Sequence, residues 1–521
     1  MRLHIMLSGL ALVSTVTLRA QVAPPTGHWE YVRVSSGRHD NPFPIENVVW
    51  RDFVALSDNL PWLRLTFADV SLAEGSYLRI VSLTDGDYQT MHMNHVQQWQ
   101  STSAYFNGNV VLVELVAGPK TKGNFVDITK VMAGDPHIAM QDPDSICGTT
   151  DNRTPSSHAA VGRINTIGCT GWIISNPAGG SSTDKLHLSA GHCVASGQVL
   201  QFAVPSSNSN CSLVHPPAAK QFAIDTASSM SVNGGVGNDY WVFKCFANST
   251  TGLTTWQEQA TAFTLATSIP ANGTTLRNYG FGVDGTVADN ATGNSCSCTA
   301  SAGTGQRNQT QQTHTGPLNS VSGSRLNYGF DTCGGNSGSV VQNNSTLLVV
   351  GIHTHGGCTA SGGSNSGTAI THSGLQSAIT TMSSGGGGAG NNECSGATAL
   401  ALGNNGSYSN STATTSTPAW PCGSGGNDLW FTYNVPCATT VTFSTCVSGT
   451  NFDTVMQVFS GSCSALTSAG CNDDWSGCSL STLRSRVVVT TTAATTLRIR
   501  VGGYNGARGS FLINVSHAAC P

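Results

Sequence analysis

The 17 cysteines of this 521-residue chain divide it into regions with different structural requirements. None precedes Cys147, nine lie between Cys147 and Cys358, and eight lie between Cys394 and Cys520. An even number in one region is typical of a self-contained disulfide set, so we expect the odd cysteine in the middle region. In an exported protein, which meets an oxidising compartment, most of these cysteines are expected to form disulfides.

The first residues are those expected of a signal peptide. Arg2 and His4 form a short polar start, and Ile5–Val16 is largely apolar but too short to cross a bilayer. We predict a signal peptide at residues 1–20, removed near Ala20, with an uncleaved anchor as the alternative. The mature protein is expected to be secreted, without a membrane span.

Composition narrows the class of protein. With 60 glycines and only 10% charged residues, the chain suits extracellular all-β domains with long loops. The formal net charge is −4 and no strongly basic patch occurs, so nucleic acid is not an expected partner.

The chain is long enough for several domains. The cysteine-free residues 21–143 contain the strand-like segments LPWLRLTFADVSL, SYLRIVSL and NVVLVELVAG. The middle domain, residues 144–382, ends at the Gly-rich segment SSGGGGAGNN, residues 383–392, which can bury little and is predicted to be a flexible linker. Alternating strands with Gly/Asn turns predict a β-sandwich over 393–521.

Three segments of the middle domain contain residues suited to nucleophilic catalysis. They are LHLSAGHC with His192, GNDYWVFK with Asp239, and DTCGGNSGSVV with Ser337. Each is weak alone, but the order His, Asp, Ser is that of chymotrypsin and differs from subtilisin and the α/β-hydrolases.

The residue types fit one reaction. A serine hydroxyl becomes nucleophilic when a base takes its proton, and a buried carboxylate fixes the orientation of that base. Glycines beside Ser337 allow a sharp turn that aims the N–H groups of Gly335 and Ser337 at a developing oxyanion. Asp225 competes with Asp239 as the acid, and Ser339 competes with Ser337 as the nucleophile.

These motifs resemble those of the trypsin-like serine proteases. SAGHC at 189–193 resembles the histidine motif, ND at 238–239 the aspartate strand, and GNSGS at 335–339 the serine motif. The resemblance covers 147–382 and is nearest to bacterial secreted lysyl and glutamyl endopeptidases. It implies an all-β, chymotrypsin-like double β-barrel that hydrolyses peptide bonds without a cofactor.

The resemblance also implies disulfide pairs. In the family, similar cysteines clamp the histidine loop and the specificity pocket, while a third pair occurs in lysyl endopeptidases. The implied pairs here are Cys169–Cys193, Cys333–Cys358 and Cys147–Cys211.

The resemblance leaves substrate preference open. Asp331, followed by Thr332, stands where trypsin-like enzymes select Lys or Arg. His353 resembles the histidine that binds Glu in glutamyl endopeptidases. Of the two preferences, we favour the one for acidic side chains. His353 and His355 as a metal pair are the weaker interpretation, since no further ligand is clustered with them. Asn336 replaces the Asp that pairs with a new N-terminus in many relatives, so activation through that ion pair is not expected.

The flanking regions resemble parts of secreted bacterial peptidases. Residues 21–143 resemble pro-regions, with an independent accessory domain as the alternative. Residues 393–521 resemble the pre-peptidase C-terminal-like sandwich domains associated with secretion or with carbohydrate and matrix binding. For Asp473 and Asp474, an ordinary turn is favoured over a calcium site.

The sequence therefore predicts a secreted, monomeric serine endopeptidase that acts on protein or peptide substrates. The rivals are a secreted binding or adhesion protein with a degenerate protease fold, and an adhesin whose main function lies in the C-terminal sandwich.

Overall fold

The computed structural model describes residues 19–135, 145–175, 185–208, 210–284, 307–383, 391–394, 397–411, 413–463 and 465–518. They belong to two compact units, one ending at Ile379 and the other beginning at Thr380. Most of the predicted signal peptide and of the predicted linker lies outside the described residues. Among the residues described, no helix has both the length and the apolar character that crossing a bilayer requires.

The N-terminal region forms two antiparallel sheets. Its elements are β1 (Arg19–Ala20), β2 (Gly27–Ser35), β3 (Asn47–Ala55), β4 (Trp62–Ser71), β5 (Tyr77–Ser82), β6 (Tyr88–Met91), α1 (Met93–Gln98), β7 (Phe106–Asn107), β8 (Val110–Ala117) and β9 (Phe125–Gly134). The strand orders are β2-β9-β4-β7 and β3-β8-β5-β6. Burial alternates along β5, where Leu78 and Ile80 face the core, as a period-two pattern requires. The three strands predicted here are confirmed as β4, β5 and β8.

These two sheets, the N-terminal sandwich, share a hydrophobic core with the region that follows. Buried side chains from 54–132 form one cluster with Val199, Leu213 and Ala223. Tyr105 lies at the contact: its ring stacks on His215 with centroids 4.5 Å apart. Such a shared core makes the sandwich part of the first compact unit.

The middle region begins with a closed barrel. After the short strand β10 (Thr154–Pro155), which lies outside this barrel, come β11 (Val161–Asn165), β12 (Cys169–Ile173), β13 (His187–Ser189), β14 (Val199–Gln201), β15 (Gln221–Asn233) and β16 (Asp239–Cys245), with 3₁₀ turns at Gly191–Cys193 and Ala218–Lys220. The barrel closes in the order β11-β12-β13-β16-β15-β14. Strands β11 and β12 are buried along their whole length, because both of their faces are covered.

A second barrel follows. Its elements are α2 (Thr255–Gln259), β17 (Thr275–Gly280), β18 (Gln312–Ser322), β19 (Arg325–Tyr328), β20 (Val340–Asn343), β21 (Val349–Gly356), β22 (Cys358–Thr359), β23 (Gly362–Gly363), β24 (Asn365–Ala369) and α3 (Ser373–Ser383). The order β21-β20-β17-β18-β19-β24 closes because β24 also pairs with β21. Two six-stranded antiparallel barrels in succession define the chymotrypsin-like fold, and the predicted all-β fold class is confirmed.

The C-terminal unit contains β25 (Thr398–Ala399), β26 (Gly403–Ser409), β27 (Gly425–Val435), β28 (Thr440–Ser444), β29 (Thr454–Ser462), β30 (Ala465–Asn472), β31 (Arg486–Thr490), β32 (Thr495–Tyr504) and β33 (Ser510–Ser516). They form sheets of order β25-β27-β32-β29-β30 and β26-β33-β28-β31. Phe431 and Ile499 of the first sheet and Phe443 and Phe511 of the second belong to one core. The strand-rich character predicted for 393–521 is confirmed.

The disulfides agree with the implied pairs in part. Cys169–Cys193 is present. The implied Cys333–Cys358 and Cys147–Cys211 pairs are wrong, because Cys147 pairs with Cys358 across 4.8 Å between Cα atoms. Cys333 and Cys211 are also disulfide-bonded, but to neither implied partner. Three pairs lie in the described part of the C-terminal unit, Cys394–Cys463, Cys422–Cys471 and Cys446–Cys478, and Cys437 is disulfide-bonded as well.

The segment before Cys147 explains this correction. Ser145 forms a β-bridge with Thr332, which brings Cys147 beside the wall of the second barrel. The Cys147 N–H donates to Asp331 Oδ1 at 2.8 Å, which fixes the cysteine in that position.

The shared core predicts a stability effect. Tyr105→Ala removes the ring that stacks on His215, so the free energy of unfolding of the first unit should fall by about 3 kcal/mol or more. Tyr31→Ala is the matched control, because Tyr31 is 82% exposed and should change that value by less than about 0.5 kcal/mol. Urea unfolding followed by tryptophan fluorescence measures both. Equal effects would contradict a core shared between the sandwich and the barrel.

Candidate active site

The structure brings His192, Asp239 and Ser337 together between the two barrels. His192 lies in the 3₁₀ turn after β13, Asp239 begins β16, and Ser337 lies in the turn before β20. His192 Nδ1 is 2.6 Å from Asp239 Oδ2, and His192 Nε2 is 2.7 Å from Ser337 Oγ. Both distances lie within hydrogen-bond range.

The histidine turn approaches the barrel backbone closely. A Cβ on Gly191 would lie 2.0 Å from Val232 O, so only glycine fits before His192. Cys193, directly after the histidine, is tied to Cys169 at the start of β12. These constraints position the imidazole ring.

The Asp239 carboxylate is fully buried and satisfied by the histidine turn. Its Oδ1 accepts the backbone N–H groups of Gly191 at 2.6 Å and His192 at 3.1 Å. Its Oδ2 faces Nδ1, so the proton of a neutral His192 is on Nδ1 and Nε2 can accept the Ser337 hydroxyl proton. The competing acid, Asp225, lies on β15 opposite Lys244 and is not among the groups bonded to His192.

Two backbone donors converge on one carbonyl. The N–H groups of Gly335 and Ser337 donate to the carbonyl oxygen of Gln21, at 2.7 and 3.2 Å. Gly335 has a φ of +95°, which favours glycine. A Cβ there would also lie 2.3 Å from Phe281 O. The two donors predicted for an oxyanion are therefore both aimed at the carbonyl next to Ser337.

The side chain of Gln21 enters a pocket formed by the second barrel. Its Oε1 lies 2.5 Å from His353 Nε2, and Tyr328 Oη lies 2.8 Å from His353 Nδ1. Gly356 leaves room for this side chain, because a Cβ there would be 2.6 Å from Gln21 Nε2. His353 therefore faces the bound side chain, where the sequence placed a substrate-binding residue.

Burial sets the protonation of this pocket. It lowers the pKa of His353 to about 3, with smaller contributions from the nearby His355 and His192. It also raises the pKa of Tyr328, so the phenol keeps its proton. The amide oxygen of Gln21 can only accept. A neutral His353 thus donates from Nε2 to Gln21, and Tyr328 donates to Nδ1.

The structure gives Asp331 and Thr332 other contacts. Asp331 is fully buried, and its two oxygens accept the backbone N–H groups of Cys147 and Asn152, each at 2.8 Å. The Thr332 N–H donates to Ser145 O at 3.2 Å. Both oxygens of Asp331 are therefore already bonded to the backbone of the segment that precedes the first barrel.

Two groups of side chains in the described part of the chain have metal-ligand spacing. One is Cys169, His192 and Cys193, whose sulfurs form a disulfide. The other is Asp453, Asp473 and Asp474 in the C-terminal unit. Neither group contains the His353–His355 pair.

Two residues of the pocket were missed from the sequence. Gln21 directly follows the predicted signal peptide and belongs to no catalytic motif. Tyr328 ends β19 as one of several alternating buried residues. The strand pattern signalled the burial of Tyr328 but not its contact with His353.

Proteins similar to this chain are found among solved structures. A scan of family models and a search of curated proteins find no match. Among solved structures, a Glu endopeptidase has 17% identity and a TM-score of 0.32, covering 46% of this chain and 100% of that one. A thermostable serine protease from an extremophilic microorganism has 17% identity and a TM-score of 0.32, covering 44% and 99%. Mouse brain neuropsin has 14% identity and a TM-score of 0.29, covering 43% and 95%.

The role of the acid can be tested by Asp239→Asn. The amide cannot accept from three N–H groups as the carboxylate does, so turnover should fall about 10³–10⁴-fold while the fold persists. Asp225→Asn is the control and should stay within about twofold of wild type, since Asp225 lies on β15 opposite Lys244 and the carboxylate that contacts His192 is that of Asp239. Initial rates on a peptide library and circular dichroism measure the two properties. Equal losses in both variants would contradict the assignment of Asp239.

Proposed function

We propose that the protein is a secreted serine endopeptidase that acts through an acyl-enzyme, with His192, Asp239 and Ser337 as its triad. One observation carries the proposal. A peptide carbonyl, that of Gln21, accepts from the N–H groups of Gly335 and Ser337 beside the Ser337 hydroxyl. Nucleophile, base and oxyanion donors thus surround one peptide bond, which is the geometry acyl transfer requires.

The chemistry follows from these contacts. Ser337 Oγ attacks the carbonyl carbon while His192 Nε2 takes the hydroxyl proton. The buried carboxylate of Asp239 stabilises the imidazolium, and the two backbone N–H groups stabilise the oxyanion. His192 then gives the proton to the leaving amine, and water hydrolyses the acyl-enzyme by the reverse sequence.

The pocket favours a substrate residue with an oxygen acceptor at P1, the residue on the acyl side of the cleaved bond. Gln21 supplies such an acceptor to His353 Nε2 at 2.5 Å. A glutamate carboxylate has the same length and presents the same oxygen. We propose that the enzyme cleaves after Glu and Gln. Asp331 is fully buried and already accepts a backbone N–H on each oxygen, so it is less suited than His353 to select the side chain at P1.

The rival functions lack a comparable observation. A degenerate protease that only binds would be expected to have lost part of the constellation, whereas the short distances from His192 to Asp239 and Ser337 support catalysis. A carbohydrate or matrix ligand for the C-terminal unit remains a proposal from resemblance. Secretion is supported by the disulfides, which persist in oxidising compartments. The removal of 21–143 as a pro-region also remains a proposal.

Labelling at Ser337 tests the enzyme directly. A fluorophosphonate should modify Ser337 stoichiometrically, and Ser337→Ala should abolish both labelling and turnover because it removes the single nucleophilic hydroxyl. Ser339→Ala is the matched control and should still be labelled. Peptide mapping by mass spectrometry identifies the modified serine. Folded, processed protein that takes up no label would support the binding function instead.

The pocket assignment is tested by His353→Val on a panel of peptides that differ only at P1. Cleavage after Glu and Gln should lose a factor of tens or more in kcat/KM, because the buried acceptor loses its donor. Cleavage after Leu should change little. Tyr328→Phe should cause a smaller loss of the same selectivity, since it frees only Nδ1. Wild-type cleavage restricted to Lys and Arg would reject this pocket.

A further inference from the structure

The segment Arg19–Ala23 occupies the proposed active site of its own chain. Strand β1 pairs antiparallel with β21, with Arg19 opposite Gly356 and Ala20 opposite His355. Addition of an extended strand to a sheet edge is a common way to bind peptides, because backbone hydrogen bonds hold the strand in register.

Gln21 makes three contacts that suit a residue whose carbonyl group is to acylate Ser337. Its N–H is 2.9 Å from Ser337 Oγ. Its carbonyl accepts from Gly335 and Ser337, and its side chain reaches His353. The side chain of Gln21 is fully buried, and its Nε2 has no hydrogen-bond partner in the described part of the chain. The pocket therefore binds the amide oxygen of this side chain and makes no hydrogen bond to its amide nitrogen among the described residues.

The residues that follow the Gln21–Val22 bond are held in place as well. The Ala23 N–H donates to Gly168 O at 2.8 Å. Ala23 is 5% exposed, and a Cβ on Gly168 would lie 2.5 Å from its methyl group. Both sides of the Gln21–Val22 bond are fixed, so the bond is positioned across the catalytic residues.

We propose that the Gln21–Val22 bond is an intramolecular substrate, and that the uncleaved segment blocks the active site of the precursor. This inference rests on the proposed function. Ser337 Oγ bonds to the Gln21 carbonyl carbon as its proton passes to His192, and the bond from that carbon to Val22 N breaks as Val22 N takes the proton. Water then releases the peptide ending at Gln21, which leaves Val22 as the new N-terminus.

The blocked state follows from burial. With the segment in place, Ser337 is fully buried, and the His192 side chain is 9% exposed. A separate peptide cannot reach the pocket while Gln21 fills it. Departure of the cleaved segment opens the pocket, so this cut activates the enzyme without removing the N-terminal sandwich.

Intact mass distinguishes this cut from removal of a signal peptide. Signal-peptide removal at Ala20 leaves Gln21 at the N-terminus, whereas self-cleavage leaves Val22. The full chain is made by membrane-free translation under oxidising conditions, so that no signal peptidase acts. Wild type, Gln21→Leu and Gln21→Glu are compared, with Gln97→Leu as the control because Gln97 is an exposed residue of α1.

We expect wild type, Gln21→Glu and Gln97→Leu to begin at Val22. Gln21→Leu should be cut at least tens of times more slowly, because leucine offers His353 no acceptor. Wild type cut at the same rate as Gln21→Leu, or cut at another bond, would overturn the inference.

A second assay separates this inference from the proposed function. All variants are tested on a short peptide with Glu at P1. Two outcomes would support the proposed enzyme activity and reject self-cleavage. In the first, uncut wild type hydrolyses the peptide. In the second, Gln21→Leu hydrolyses the peptide while wild type stays uncut. A chain that begins at Val22, and so lacks the blocking segment, is tested beside them. If that chain hydrolyses the peptide but no full-length variant is cut, self-cleavage alone is rejected, and if that chain does not hydrolyse it, the proposed function itself fails.

Discussion

Asp239, through its buried carboxylate and its backbone, joins the two barrels at the catalytic residues. A charge without solvent is costly unless several donors surround it, and here the donors come from the histidine turn. The backbone of the same residue exchanges two hydrogen bonds with the Thr368 side chain in the second barrel. His192 can therefore face Ser337 only when both barrels are folded and in contact.

The catalytic residues were predictable because their constraints are local. Gly191 and Gly335 both belong to the catalytic motifs, and a side chain at either position would collide with a nearby backbone carbonyl. The strand after Asp239 is apolar along most of its length, which made Asp239 a better candidate than Asp225. The all-β class followed from short strands separated by Gly-rich turns, whereas the double barrel followed from the resemblance of the motifs to a known family.

Long-range partners were not predictable from spacing. Cys147 and Cys358 are 211 residues apart, and Ser145, which bridges Thr332 and accepts from the Cys358 N–H, helps to bring them together. The same bridge surrounds Asp331 with backbone donors, which no feature of the sequence indicated. Gln21 and His353 are 332 residues apart. No motif around Gln21 indicates that its side chain fills a pocket, because the pocket forms only when the chain folds.

The N-terminal sandwich contains no cysteine, yet it contributes to the core of the first unit. A cut anywhere in residues 136–144 would leave it with no covalent tie to the barrels. The two pieces would then behave as a heterodimer whose subunits are products of one chain. They would separate in denaturing gels even without reductant, but would elute together in native buffer. The lifetime of that dimer would be set by how slowly the shared apolar surface opens to water.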